Sequence, residues 1–574
     1  MTRDLSSTDR DKRVLELYEQ LLEVEQRLIP TGLHIFGQVP ANHEKRDLLK
    51  IIASFDRPEF DCRSLPDLIS NGLGFGDYKT LLSDSNKSNQ VLERREQVES
   101  ILTNAVETFI EKGPVAASAF LADTANVSIS ESSIVFALLG RVSDQLEKSQ
   151  ELDSLMQALQ GNYIEPGPGA DIIQNPDILP TGRNTHAVNP YAVPSALAWR
   201  RAEPVVAALL ERHVAEHGRY PETMAMVLWG MDNIKTQGES VAQALWLLGV
   251  KPRRDQMNRV VDVDPISLEQ LGRPRIDIVM TVSGIFRDLF GTTMEVLDKA
   301  VRCVATLDEP DEMNFVRRHV NEQVAGGGEG SSFDEAATRV FSNAAGNYGS
   351  NVNFMILDSQ WEDDGAIADL FVTRKSFAYG KNLNGRAAKG LMEKALSRVE
   401  VTYQNLDTTE IGITDVDHYF EYLGGVSKAV EKQTGARPAI YLSDSLSANA
   451  KIRTLDETVR LETRTKTLNP KWYEGMLKHG IRGVAEIEHH ISNTFGWSAT
   501  ADAVDNWVYD EIAKTFVLDE QMLDRLRESN PHSTHSLVGR LLEAKGRGFW
   551  DAEESVIDKL KNVFAGLEDQ LEGI

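Results

Sequence analysis

Met224-Ala-Met-Val-Leu-Trp229 is an unbroken apolar run of strand length, the pattern of a strand buried on both faces. Helical periodicity over 196–217 precedes it. A polar loop, Gly230-Met-Asp-Asn-Ile-Lys-Thr-Gln-Gly-Glu239, and a second helical stretch, Ser240–Leu248, follow. Two more strand candidates come next, Arg259–Val263 and Ile276-Asp-Ile-Val-Met-Thr-Val282, the latter running into Ser283-Gly284 and another helix. Strands alternating with helices predict an α/β fold with a largely parallel central sheet. Ligands of such sheets sit beyond the carboxyl ends of the strands, where both polar junctions fall.

Outward from this centre the character changes. All eight tryptophans lie at or after Trp199, so the N-terminal third reads as a different module. It reads as helical: Val14, Leu17, Tyr18, Leu21 and Leu28 recur at helical spacing, and amphipathic stretches follow near 94–112 and 131–160. Residues 161–194 form a long Pro/Gly-rich loop holding Glu165-Pro-Gly-Pro-Gly169 and Leu179-Pro-Thr-Gly-Arg-Asn-Thr-His186; its length and composition favour a functional loop. Gly326-Gly-Gly-Glu-Gly-Ser-Ser332 is a flexible break. Beyond it helices dominate, with one clear strand candidate, Ala439–Leu442, and a terminal helix, Ala552–Leu567. The expected organisation is a multi-domain α/β protein: a helical region over 1–160, an α/β domain with a Pro/Gly-rich entry loop over 161–325, and a helix-rich α/β C-terminal domain over 326–574.

The 574 residues carry 61 Lys+Arg against 87 Asp+Glu, a net charge of −26, which argues against nucleic acid as a partner. Two cysteines, Cys62 and Cys303, cannot build a disulfide framework or a Cys-based zinc site and fit a reducing, cytoplasmic setting. No apolar run reaches the ~18 residues of a transmembrane helix, and Met1–Lys12 resembles neither a signal nor a transit peptide. The sequence has no Gly-x-x-x-x-Gly-Lys-Ser/Thr, no His-Glu-x-x-His and no Gly-x-Ser-x-Gly; Gly72-Leu-Gly-Phe-Gly76 is too short for a dinucleotide fingerprint. The simplest enzyme classes drop out.

Several constellations remain. Asp232, Lys235 and Glu239 lie on a strand-to-helix junction, where helix-start N–H groups favour an anion, although a ligand-free cap explains them equally well. In Ser283-Gly-Ile-Phe-Arg-Asp288, Ser283 reads as a cap and Arg287 as a partner of Asp288. Asp415-Val-Asp-His-Tyr-Phe-Glu421 is the densest set of metal-ligand types, with His418 three residues from Asp415 and from Glu421, suited to a divalent cation or a proton relay. Taken alone, it is better explained as a capped helix start with an exposed acidic face. His489, His490, His532 and His535 read as surface residues, the last two close enough to share a metal if well placed. Arg464, Lys466, Lys471 and Trp472 combine cations with an aromatic ring, fitting a flat anion or an interdomain contact.

At these positions the chain resembles the C-terminal half of the large, porphyrin-binding (H) subunit of magnesium chelatase, homologous to the large subunit of aerobic cobaltochelatase. The resemblance runs from about Gly32 to Ile574. It rests on Arg27-Leu-Ile-Pro-Thr-Gly-Leu-His34, Glu165-Pro-Gly-Pro-Gly169, Leu179-Pro-Thr-Gly-Arg-Asn184, Val227-Leu-Trp-Gly230 with Gly238-Glu-Ser240, Arg273-Pro-Arg-Ile-Asp277, Ser283–Asp288, Ala337–Phe341, Asp415–Gly425, Leu468–Met476, Phe495-Gly-Trp497 and Leu571-Glu-Gly-Ile574. Asp232–Ser240 and Gln404-Asn-Leu-Asp407 look more like the magnesium branch. The resemblance implies binding of protoporphyrin IX and insertion of Mg²⁺ as a substrate in (bacterio)chlorophyll synthesis, with ATP hydrolysed by separate AAA+ motor subunits. It implies catalytic roles for Asp415, His418, Glu421 and Glu239, with the first three as metal ligands. It also implies substrate binding by Arg374, Arg183, Asp232, Lys235 and Arg287. Family members are about twice this long, which makes a separate N-terminal half of the large polypeptide an implied partner. The alternatives are a cobaltochelatase-type protein acting on a corrinoid precursor and a non-catalytic tetrapyrrole-binding protein.

Overall fold

The computed structural model describes residues 32–57, 62–83, 88–167, 171–173, 175–183, 188–328, 330–380, 382–408, 410–444 and 451–573. The helix expected around Val14–Leu28 and most of the Arg27–His34 motif lie outside these residues, as do Pro168, Gly169 and Asn184–His186 of the entry loop. Two compact units emerge, one over His34–Ala187 and the other over Val188–Ser445 and Ala450–Ile574.

The first unit is helical. Ser88 accepts a hydrogen bond from the Val91 amide to start Asn89–Lys112, and Gly113, at φ 83°, ends it while Pro114 opens Pro114–Ala125. The periodic stretch near 131–160 divides into two helices, Ile129–Leu146 and Glu151–Leu159. Leu49, Ile52, Val98, Leu102, Leu121 and Leu139 form its core around stacked Phe109 and Phe136, 5.6 Å apart.

An eight-stranded sheet organises the second unit. Its strands are β1 (Thr223–Leu228), β4 (Asp277–Val282), β5 (Val340–Ser342), β6 (Phe377–Gly380), β7 (Leu383–Ala387), β8 (Val401–Leu406), β9 (Ala439–Asp444) and β10 (Lys451–Thr454). The order is β10-β9-β8-β1-β4-β5-β6-β7, with β9, β8, β1, β4 and β5 parallel and the edges antiparallel. Met224, Met226 and Leu228 of β1 enter one core, and Ala225 and Val227 the other, so both faces are covered. The helix expected over 196–217 is present as Ala196–His217.

Three differences from expectation have physical causes. The candidate at 259–263 does not join the sheet: β3 (Val260–Pro265) pairs antiparallel with β2 (Val250–Arg254) as a separate hairpin, its residues only partly buried. The region beyond 326 supplies six strands of the sheet rather than one. β8, Val401-Thr-Tyr-Gln-Asn-Leu406, is fully buried yet rich in polar residues, which hides it from an apolar-run criterion. The division expected at 325/326 therefore cuts through a hydrogen-bonded sheet. Among the described residues, no helix is long and apolar enough to cross a membrane.

At the amino edge of the sheet, Asp277 is 1% exposed, with Arg339 Nε and Nη2 at 2.9 and 3.0 Å and His319 Nδ1 at 2.9 Å. A cavity of about 400 Å³ opens beside His319 and Glu222 at this edge. Burial pushes the Asp277 pKa up, but Arg339 and His319 outweigh it and hold the carboxyl well below the usual range. A depressed carboxyl contributes stability that is present above its unfolded value near ~4 and is lost as pH falls through the folded value. Asp277→Ala is expected to destabilise by about 3–5 kcal/mol at pH 7, because Arg339 is left buried and unpaired. Urea denaturation should show that deficit shrinking as the pH is lowered below ~4.

Candidate functional site

The chain adds β4 and β5 on one side of β1, then returns to place β8 and β9 on the other. The carboxyl ends of β1 and β8 thus flank the topological switch point, where an open α/β sheet leaves a crevice. There β1 is followed by Trp229, whose ring lies 4.5 Å from Tyr422 and 5.8 Å, edge-on, from Tyr419. The loop expected after it is mostly a short helix, Gly230–Lys235, followed at once by Glu239–Leu248. Gly238 joins them at φ 93°, where a Cβ would strike Val193, so both conformation and space require glycine.

Beneath these helices lies a buried polar network. Asp232 Oδ1 accepts from Asn405 Nδ2 at 3.2 Å, and Asn405 Oδ1 accepts from Ser443 Oγ at 2.6 Å and Gln243 Nε2 at 3.3 Å. Tyr403 OH donates to Gln243 Oε1 at 2.8 Å, and Lys235 Nζ pairs with Asp407 at 2.8 Å. Asp232 is 2% exposed, and its Oδ2 accepts no hydrogen bond among the described residues. Burial first, and then the Asp407 charge, push its pKa well above the usual carboxylate range. Glu239 is buried at the adjoining helix start, its amide donating to Thr236 Oγ1 at 3.1 Å.

The segment 415–422 borders the crevice on the β8 side. Glu421 is fully buried and accepts from the amides of Ser350 and Asn351, from Ser350 Oγ, and from His418 Nδ1 at 2.6 Å. His418 remains half-exposed, and the bond to Glu421 raises its pKa. Asp415 precedes the helix and turns away to Lys466 and to His490 Nε2, the latter at 2.7 Å. Burial pushes its pKa up, yet His490 and Lys466 outweigh this and hold it well below the usual range. Among the described residues no three His, Cys, Asp or Glu side chains stand where they could hold a metal ion: His418 and Glu421 pair with each other, and Asp415 with Lys466 and His490.

Other expected residues divide. Arg287 is buried and engages the carbonyls of Ala344 and Asn347, both at 2.8 Å, besides Asp288. Arg374 is half-buried, and its Nε makes no hydrogen bond among the described residues. Its neighbour Lys375, which the sequence does not single out, is fully buried. Lys375 Nζ donates to Val282 O at 2.7 Å and Asn343 Oδ1 at 3.0 Å and lies 4.2 Å from the Tyr422 ring. Arg183 belongs to the first unit, where it donates to the carbonyls of Asp177 and Leu179 and packs on Gly167. His490 is buried against Trp472 at 4.4 Å rather than lying at the surface. Lys466, expected among ligand-binding cations, is committed to Asp415. Trp229, Asn405, Asp407, Tyr419 and Tyr422 are further members that sequence reasoning passed over; for the aromatics, the signal was their place in the family motifs.

A family model described as CobN/Magnesium Chelatase matches residues 1–557. The chain belongs to this family. The magnesium-chelatase subunit ChlH of Oryza sativa subsp. japonica is 44% identical over 608 residues, covering 100% of this chain and 43% of that protein. The corresponding magnesium-chelatase (H) subunit of Chlorobaculum parvum is 37% identical, covering 98% and 45%. The catalytic subunit of cobaltochelatase from Mycobacterium tuberculosis superposes with a TM-score of 0.89 at 32% identity, over 99% of this chain and 47% of that one. The chain spans less than half the length of these CobN/magnesium chelatase relatives.

A raised carboxyl costs stability as pH climbs from its unfolded value near ~4 through the folded one. Asp232→Asn keeps the Oδ1 acceptor and removes the charge. It is expected to gain roughly 1–3 kcal/mol at pH 8, with the gain vanishing toward pH ~4 in paired denaturant titrations.

Proposed function

We propose that the chain is the C-terminal, porphyrin-handling portion of a magnesium chelatase large subunit, acting in insertion of Mg²⁺ into protoporphyrin IX. The observation that carries this reading is the meeting of family motifs at one switch point. Val227–Gly230, Gly238–Ser240, Ser283–Asp288 and Asp415–Gly425 come from distant parts of the chain and gather around Trp229, Tyr419 and Tyr422. Gly230 N, for example, donates to Ser283 Oγ at 3.0 Å. Identity of 44% to a magnesium subunit, against 32% to the cobaltochelatase subunit, favours magnesium over a corrinoid-directed cobalt enzyme.

Insertion requires two pyrrole N–H protons to leave while a reluctantly dehydrated cation sheds water. Within this portion we assign His418 as a proton acceptor. Its Nδ1 is fixed on Glu421, its Nε2 makes no hydrogen bond among the described residues, and it is half-exposed. Glu421 holds the ring rather than contacting substrate, being buried and saturated by amides. Glu239 and Asp232 lie deeper and shape the crevice. Arg374 is the arginine we assign to an anionic side chain of a porphyrin, which a protein of charge −26 must meet locally. The AAA+ motor that hydrolyses ATP is a partner in this reading, and a cytoplasm-like reducing compartment suits the two free thiols.

The test is reconstitution with the rest of a large subunit and the AAA+ motor subunits. His418→Ala should lower Mg²⁺ insertion by about 10²–10⁴-fold while Soret-band titration shows unchanged porphyrin affinity. Insertion at the parental rate would remove His418 from the reaction. Tight porphyrin binding with no insertion of either Mg²⁺ or Co²⁺ in the complete mixture would favour a non-catalytic tetrapyrrole-binding protein. Co²⁺ entering a corrinoid precursor would favour the cobalt branch.

A further inference from the structure

The segment 410–416, which leads into the turn bearing His418 and Glu421, is held by two carboxylates, Glu462 and Asp415. Glu462 is 2% exposed, and its carboxylate accepts from Ile413 N at 2.9 Å, Thr414 N at 2.9 Å and Thr414 Oγ1 at 2.6 Å. Thr414 Oγ1 spends its one proton there; His490 Nδ1 lies 3.3 Å from it, and His490 Nε2 lies 2.7 Å from one Asp415 oxygen. Lys466 holds the other Asp415 oxygen. The order Thr414–His490–Asp415 looks like a nucleophile triad, but the hydroxyl proton is committed to Glu462 and Thr414 is fully buried, so it has no nucleophilic use.

The backbone is shaped to admit this carboxylate. A Cβ at Gly412 would collide with it, and Gly412 has no positive φ, so glycine is required by space alone. Trp497 Nε1 binds Ile413 O at 2.9 Å and Asn493 Nδ2 binds Thr414 O at 2.8 Å, fixing the same residues from Ile481–Ala501. Two π-helical turns flank the clamp: Thr463–Thr467, which carries Lys466, and Phe420–Gly424, which carries Glu421 and Tyr422. Such turns concentrate at functional sites. A buried ionic cluster adds little net stability over apolar packing, so its value here lies in geometry.

We infer that Glu462 is a positioning residue for the crevice: it fixes Ile413 and Thr414 and so sets the turn that carries His418 and holds Tyr419 and Tyr422 against Trp229. The consequence for metal insertion rests on the chelatase reading; the consequence for the Trp229 environment does not. Glu462→Gln preserves shape and removes the charge, whereas Gly412→Ala keeps the charge and displaces the carboxylate. In the reconstituted enzyme both variants should lower kcat about 10–100-fold with the porphyrin KM held within about twofold, the signature of lost orientation rather than lost binding. In the chain alone, both should change the Trp229 contribution to emission, read as the difference between each protein and its Trp229→Phe derivative.

A lowered melting temperature with kcat and the Trp229 signal both unchanged would make Glu462 a purely structural group and overturn the inference. Glu462→Asp, a shorter carboxylate, should restore part of the kcat that Glu462→Gln loses; no difference between the two would also count against it. If His418→Ala leaves insertion intact, the chelatase assignment of that residue fails, while the Trp229 signal still decides the role of Glu462.

Discussion

The pairing of β1 with β8 is the constraint on which the second unit depends. It joins a strand near residue 225 to one near residue 403 in parallel register, Met224 beside Val401 and Val227 beside Gln404. Both strands are buried on two faces, so their polar and charged neighbours are driven to the strand ends. The reversal of strand order between them leaves a crevice at the carboxyl edge. Trp229, Asp232, Asp407 and the 415–422 turn are all placed by that one pairing.

Burial then dictates how the charges are handled. At the amino edge, Asp277 is met by Arg339 and His319; behind the crevice, Asp415 is met by Lys466 and His490, and Glu462 by the amides of Ile413 and Thr414 and the Thr414 hydroxyl. Each set closes on itself, as groups removed from water must. Asp232 departs from this rule, with one carboxylate oxygen unpartnered among the described residues and a second acid, Asp407, nearby. Local rules are broken most often where a protein works, and this departure falls at the switch point.

Much of the frame was legible in the residues. The apolar runs 224–229 and 276–282 are β1 and β4, and the helices at 196–217 and 240–248 are present to within a residue. The two polar junctions predicted to face a ligand do end β1 and β4. β8 was not legible, because Thr402, Gln404 and Asn405 read as polar until burial in the middle of a sheet explains them. Nor was the fate of the Asp415 cluster: its spacing fits a ligand set, whereas its actual partners, Lys466 and His490, lie 51 and 75 positions away.

The sequence by itself determined the fold class, the strand-to-helix junctions and, through ordered motifs, the CobN/magnesium chelatase family. These signals are local: periodicity, caps and short fixed spacings survive without knowledge of what lies across the core. Only the tertiary structure decided which charges are spent on one another and which stay available. It buried Lys375 and His490, joined Asp415 to Lys466, and left His418 half-exposed on Glu421. Such outcomes depend on contacts between residues distant in the chain, and on the cost of leaving a buried charge unpaired, which no local pattern encodes.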